Sequence, residues 1–207
     1  MKTILFQGDS ITDVKRIRED PTNLGQGYAN LVSGRLGLQN PGEYTFLNRG
    51  IGGNRIVDVY ARMKCDIVNL KPDYMSILIG VNDVWHEKDK HNGVSAPKFK
   101  KVYGMMLEEL REELPDIKII LLEPFVLEGT ATEDAIDWFR EEVALRAAAV
   151  RELAEEYQLP FIPLQEDLNK LTEQAPPSYW LRDGVHPTVF FHQYIADKWI
   201  ETFHSII

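Results

Sequence analysis

The sequence predicts an α/β fold: a five-stranded parallel sheet covered by helices on both faces, three layers in all. Two observations carry this. Five short apolar runs recur along the chain, and a segment with helical periodicity separates each from the next. Strands alternating with helices in this way imply parallel strands and crossover helices.

Residues 2–7 form the first run and stop at Gly8-Asp9-Ser10, a strand followed by a turn. Tyr28, Leu31, Val32 and Leu36 then repeat at helical spacing within 25–37. Tyr44 to Leu47 reads as the second strand, closed by Asn48-Arg49-Gly50, and Ile56, Val59, Tyr60 and Met63 return to helical spacing. The third strand covers 74–79 and enters through Lys71-Pro72-Asp73. A helix over 98–113 ends at Pro115, and Ile117 to Leu122 is the fourth strand, stopped by Glu123-Pro124. A long helix over 134–157 precedes a short fifth strand at 159–163, and a helix from about 188 to 205 closes the chain. Nothing resembles a linker, a repeat or a low-complexity tract, so residues 1–207 are expected to be one domain.

Parallel sheets bind ligands beyond the C-terminal ends of their strands. The turns at those ends are therefore where chemistry is expected. After the first strand, Ser10 sits two residues past the apolar run, where a hydroxyl reaches the sheet edge. A serine hydroxyl needs a base to attack at neutral pH, and histidine is the natural one. Asp183-Gly184-Val185-His186-Pro187 supplies a histidine with a carboxylate three residues before it in a tight turn, the partner that fixes an imidazole's tautomer. Pro187 restricts His186 to extended backbone, and Thr188 is placed to cap the last helix.

An attacking serine creates an oxyanion that fixed donors must meet. Two turns offer them. Asn48 to Arg55 contains Gly50, Gly52 and Gly53, whose amides no side chain would obstruct. Gly80-Val81-Asn82-Asp83 offers the neutral Asn82 amide, whereas an ionised Asp83 cannot donate and reads as a cap for the turn that follows it. A dinucleotide site fails in the first of these turns, because Arg55 occupies the third glycine position. The Gly-x-Ser-x-Gly elbow of α/β-hydrolases is absent. Asp9 as a phosphoryl-transfer nucleophile would want a second acid two residues on, where Ile11 stands.

These four segments, in this order, resemble the SGNH hydrolase family, also called GDSL esterases. The resemblance implies a flavodoxin-like five-stranded sheet. It implies Ser10 as nucleophile, His186 as base and Asp183 as its partner. It implies an oxyanion hole formed by the Ser10 and Gly53 backbone N–H groups and the Asn82 side chain. Ile11 replaces the leucine of the name motif. Within the family, Gly-Asp-Ser-Ile-Thr-Asp, Asn-Asp-Val-Trp and Asp-Gly-Val-His-Pro-Thr resemble the carbohydrate-esterase branch, which includes intracellular acetylxylan esterases. That implies acetyl esters, such as acetylated xylo-oligosaccharides, as substrates, with a broad lipase, thioesterase or phospholipid acylhydrolase as the alternative. Asp9, Trp85 and Trp180 are the expected substrate contacts, while Trp138 reads as core.

The remaining residues set bounds. His86 and His91 fall in a charged stretch, Trp85 to Gly93, read as a solvated loop; the spacing of His86, Glu87, Asp89 and His91 matches no standard metal site, so no metal or cofactor is expected. His192 and His204 read as packing or surface residues. A net charge of −9 without a basic cluster argues against nucleic acid and anionic membranes, and slightly favours neutral or cationic substrates. The lone Cys65 and the absence of a signal-like segment point to the cytoplasm. Self-association stays open, as does a lid role for residues 124–140.

Overall fold

The computed structural model describes residues 1–207. Five parallel strands form one sheet: β1 Lys2–Gly8, β2 Tyr44–Asn48, β3 Tyr74–Leu78, β4 Lys118–Leu122 and β5 Phe161–Ile162, in the order β2-β1-β3-β4-β5. The helices are α1 Ser10–Asp13, α2 Tyr28–Gln39, α3 Ile56–Asp66, α4 Val81–Lys90, α5 Ala96–Glu113, α6 Ile136–Glu156, α7 Gln165–Leu171, α8 Pro177–Trp180 and α9 Val189–His204. The expected fold class and strand count hold. β5 is shorter than expected because Pro160 and Pro163, which flank it, have no N–H to give a ladder.

The period of two along each strand sorts its side chains between two cores. Ile4 and Phe6 of β1, with Ile120 and Leu122 of β4, pack under α2 and α9, whereas Leu5, Ile119 and Leu121 pack under α3, α5 and α6. Both faces of the central strands are buried, as expected of a parallel sheet. No helix is long and apolar enough to cross a membrane.

Sequence periodicity missed four helices. Three of them, α1, α7 and α8, span seven residues or fewer. The fourth, α4, occupies most of the stretch read as a solvated loop. Its buried residues are confined to the first turn, Val81, Asn82, Asp83 and Val84, and the polar run behind them carries no apolar stripe to mark a helix.

Segment 124–135 is no flap. Residues 124–127 are buried, Leu127 N–H donates to Gly184 O (2.9 Å), and Ala131 N–H donates to Asp183 O (3.0 Å). Gly129 lies so close to the same turn that a Cβ there would sit 2.4 Å from Asp183 backbone. The segment is a buttress under the Asp183–His186 turn.

Two side chains of α9 make this packing testable. Trp199 is fully buried, 5.3 Å from the Phe6 ring and 5.0 Å from Phe203. Trp199→Ala should lose about 3–5 kcal/mol in urea unfolding. Trp199→Phe should lose far less, since the indole N–H it removes has no hydrogen-bond partner.

His192, 3% exposed, accepts the Tyr28 N–H on Nδ1 at 3.3 Å. Burial, with the charges of Arg182 and His186, pushes its pKa down to about 4 from 6.5. The unfolded chain protonates it near 6.5, so its contribution to stability falls as pH drops from 6.5 to 4, by about 1.4 kcal/mol per unit. Asp9 has the opposite sign: burial raises it to about 7, so its contribution falls as pH rises from about 4 to 7. Replacing His192 by Gln, which keeps an acceptor, should therefore shift the slope of stability against pH downward from that of the wild type between 4 and 6.5, while the opposing Asp9 contribution stays in both proteins. Parallel urea titrations with the same slope in both proteins would mean that His192 does not titrate in that window.

Candidate active site

Because all five strands run the same way, the turns after β1, β2 and β3 and the turn before α9 converge at one edge of the sheet. Asp9 caps α1 by accepting Ile11 N–H at 2.9 Å, which makes Ser10 the first residue of that helix. Buried Ile11 and Thr12 fix the short helix beneath it. The Ser10 hydroxyl lies 3.0 Å from His186 Nε2, and His186 Nδ1 lies 2.7 Å from Asp183 Oδ2. The other Asp183 oxygen accepts the backbone N–H groups of His186 (2.8 Å) and Val185 (3.0 Å).

Burial works against the Asp183 charge, but the hydrogen bonds from the His186 ring and from the His186 and Val185 N–H groups prevail and hold the carboxyl well below the usual range. With Asp183 ionised, the Nδ1 proton belongs between the two side chains. Nε2 is then left as an acceptor facing Ser10. The turn that carries them is pinched shut: Leu181 and Pro187 form an antiparallel bridge, and Arg182 N–H donates to His186 O at 2.8 Å. Gly184 holds a φ of +95°, and a Cβ there would lie 2.6 Å from Leu127 O. Thr188 begins α9, but its hydroxyl donates to Tyr179 O (2.7 Å) and does not cap the helix as expected.

The turn after β2 is held by Asn48. Its amide donates to Thr12 O (2.6 Å) and Leu24 O (2.8 Å) and accepts Gly50 N–H (2.9 Å). Gly52 N–H is taken by Asp13 at 3.0 Å. Of the three glycines here, only Gly53, at φ +81°, keeps an N–H without an acceptor in the protein; the Ser10 N–H also has none. Gly53, Asn82 and Trp85 line one cavity with Ser10 and His186. The Asn82 nitrogen reaches Asn54 O at 3.2 Å and Asp9 Oδ2 at 3.3 Å, two long contacts. A substrate oxygen would have to take over one of those hydrogens.

Several expectations need correcting. Asp9 is 1% exposed and its carboxylate is engaged by Ile11 and Asn82, so it is a support for Asn82 and not a substrate contact. Trp180 donates its indole N–H to Leu171 O (3.0 Å) and Ala175 O (3.3 Å), packs against the core, and lines neither cavity at Ser10. Trp85 does line the cleft, with its ring centroid 6.0 Å from that of His186. Trp138 packs against Phe139 and the core, as read. Asp83 is fully buried and caps not the turn that follows it but α3, accepting Ile56 N–H at 3.1 and 3.2 Å.

His86, read as solvated, lines the cleft together with Asp89 and Lys90. The signal for His86 was present: it lies four residues after Asn82, so once 81–90 is helical the two share a face. A second cavity, of about 210 Å³, meets Ser10 and His186 from the other side. It is lined by Lys15, Gln26, Arg182 and His192, none of which the sequence singled out as a site residue.

A family model described as the GDSL-like lipase/acylhydrolase family matches residues 6–194. An acetylxylan esterase from Geobacillus stearothermophilus is 34% identical over 203 residues, 93% of this chain and 90% of that protein. The crystal structure of a protein described as a GDSL-like lipase, from Parabacteroides merdae, superposes with a TM-score of 0.92 at 34% identity, covering 97% of this chain and 94% of that one. Axe2, an acetylxylan esterase from Geobacillus stearothermophilus, superposes at 0.86 and 31% identity, covering 97% and 93%. Catalytic mutants of Axe2, in which a serine, an aspartate or a histidine is replaced by alanine, superpose equally well. The chain belongs to the GDSL-like lipase/acylhydrolase family and is a carboxylic ester hydrolase of that kind.

Proposed function

We propose that residues 1–207 form one hydrolase domain that removes acetyl groups from carbohydrates such as xylo-oligosaccharides, through an acyl-enzyme on Ser10. The observation that carries this is the unbroken chain from the Ser10 hydroxyl through His186 to Asp183, at 3.0 and 2.7 Å, beside two backbone N–H groups with no other acceptor.

Ser10 Oγ attacks the ester carbonyl carbon while His186 Nε2 takes its proton. Asp183 holds the imidazole in the accepting tautomer and then balances the imidazolium charge. The carbonyl electron pair moves onto oxygen, met by the Ser10 and Gly53 N–H groups and the Asn82 amide. Each such donor is worth about 3–4 kcal/mol of barrier. The C–O bond to the alcohol then breaks, and His186 returns the proton to the departing oxygen. A water deprotonated by His186 releases the acid by the same steps.

The lining supports a short acyl group. Only two of the ten residues around one cavity at Ser10 are hydrophobic, and one of the eight around the other. A long alkyl chain needs an apolar groove to leave water. The more apolar cavity, against Val126, Val143 and Ala147, contains neither Ser10 nor His186. Trp85 supplies a half-buried aromatic wall suited to a sugar ring. The resemblance to acetylxylan esterases points the same way.

Ser10→Ala should lower p-nitrophenyl acetate hydrolysis by at least about 10⁴-fold with an unchanged circular dichroism spectrum. Asn82→Ala should lower kcat by about 10²–10³-fold. Rates should fall steeply from acetyl to octanoyl esters. A maximum at octanoyl overturns the acetyl reading, and full activity in Ser10→Ala overturns the mechanism.

A further inference from the structure

The cavity on the α1 side of Ser10 has an unusual electrostatic character for so acidic a protein. Lys15 and Arg182 both line it, both are exposed, and neither forms an ion pair or a side-chain hydrogen bond. The carboxylates nearby are occupied. Asp13 accepts Gly52 N–H and pairs with Arg18 at 3.0 Å, with Arg16 at 3.9 Å, and Asp183 is committed to His186. The remaining titratable groups of the lining are two histidines: His186 and the buried His192, whose pKa is held down partly by the charge of Arg182. The cavity beyond Gly53 is different, because its lining holds a single cation, Lys90, beside one acid, Asp89, which pairs with Lys88 at 3.9 Å.

Backbone geometry makes Lys15 more than a stray surface lysine. Val14 and Lys15 stand consecutively at φ +34° and +59°, the left-handed region that a β-branched valine strongly resists. Hydrogen bonds force the turn: Val14 N–H donates to Ser10 O at 3.1 Å, and Val14 O accepts Gln26 N–H at 3.0 Å. Strain of this kind persists where surrounding structure imposes it, often beside functional sites. Here it sets Lys15 in the wall of the cavity, five residues after Ser10. Arg182 is set in the same wall by the pinched turn that carries His186.

We infer that this cavity receives a carboxylate: the preferred ester carries an anionic group close to the carbonyl attacked by Ser10. The inference rests on the proposed role of Ser10 and deepens it. It reverses the expectation from net charge, because charges beyond a screening length of about 8 Å count for little beside two unpaired cations in the cavity wall. The carboxylate has two chemical sources. It belongs either to the alcohol, as a uronic acid next to an acetylated sugar, or to the acyl group, as in a succinyl half-ester.

Two substrate pairs separate these sources. The first is an acetylated xylo-oligosaccharide with and without a glucuronic acid substituent. The second is an O-succinyl against an O-butyryl xyloside. We expect kcat/KM to favour the anionic member of one pair by about fivefold or more at 50 mM salt. The preference should shrink at 500 mM and approach unity in Lys15→Asn/Arg182→Gln. Asparagine tolerates the positive φ at position 15, so the fold is retained. A preference below about fivefold in both pairs, or one that the double variant leaves intact, overturns the inference. Loss of all ester hydrolysis in the wild type, p-nitrophenyl acetate included, would instead overturn the reading of Ser10.

Discussion

The parallel alignment of five strands is the constraint on which the rest depends. It gathers every strand exit at one edge, so residues from four separate turns meet there without any of the turns being long. It also demands that both sheet faces be covered, which is why Leu5 and Phe6, adjacent in sequence, belong to different cores. The site inherits its precision from that double packing. A side chain at a strand exit moves only if a buried strand moves with it.

Regular structure ends where the chemistry begins, and buried polar groups take over the positioning. Asn48 holds three backbone groups across the first two turns. Asp83 ties the turn after β3 to the start of α3. Asp9 spans Ile11 and Asn82. Each of these side chains is at most 3% exposed, and each would cost stability if left unpaired. Their removal should therefore disturb both folding and geometry, unlike changes at the exposed Lys15 or Arg182. The cleft thus combines a rigid catalytic edge with a rim whose charges are free to be matched by a ligand.

Local pattern made much of this legible. The strands announce themselves through uninterrupted apolar runs, and Ser10, His186 and Asp183 are legible as candidates because each motif sits at a strand exit or helix entry. Other features depend on partners that sequence does not display. Asp9 is among the expected ligand contacts; only burial shows it turned inward. Trp180 precedes the Asp183 turn by three residues, yet its indole faces α7 and the residues after it. Helix α4 is hidden because its buried first turn, Trp85 against the core and the Lys88–Asp134 pair hold it without an apolar stripe. With it went His86, whose place in the cleft follows only from helical geometry. Lys15 and Arg182 were invisible for a related reason: an unpaired charge is recognised only once every carboxylate nearby is accounted for.

The hydrogen bond between Ser10 and His186 spans 176 residues. One member lies at the exit of the first strand and the other enters the last helix. During synthesis the serine emerges before the histidine that the proposed mechanism makes its base. The second member follows 176 residues later. A contact of such separation carries a large loop-closure cost and is expected late in folding. If Ser10 and His186 act as proposed, the first turnover by a refolding molecule reports that these two distant segments have found each other.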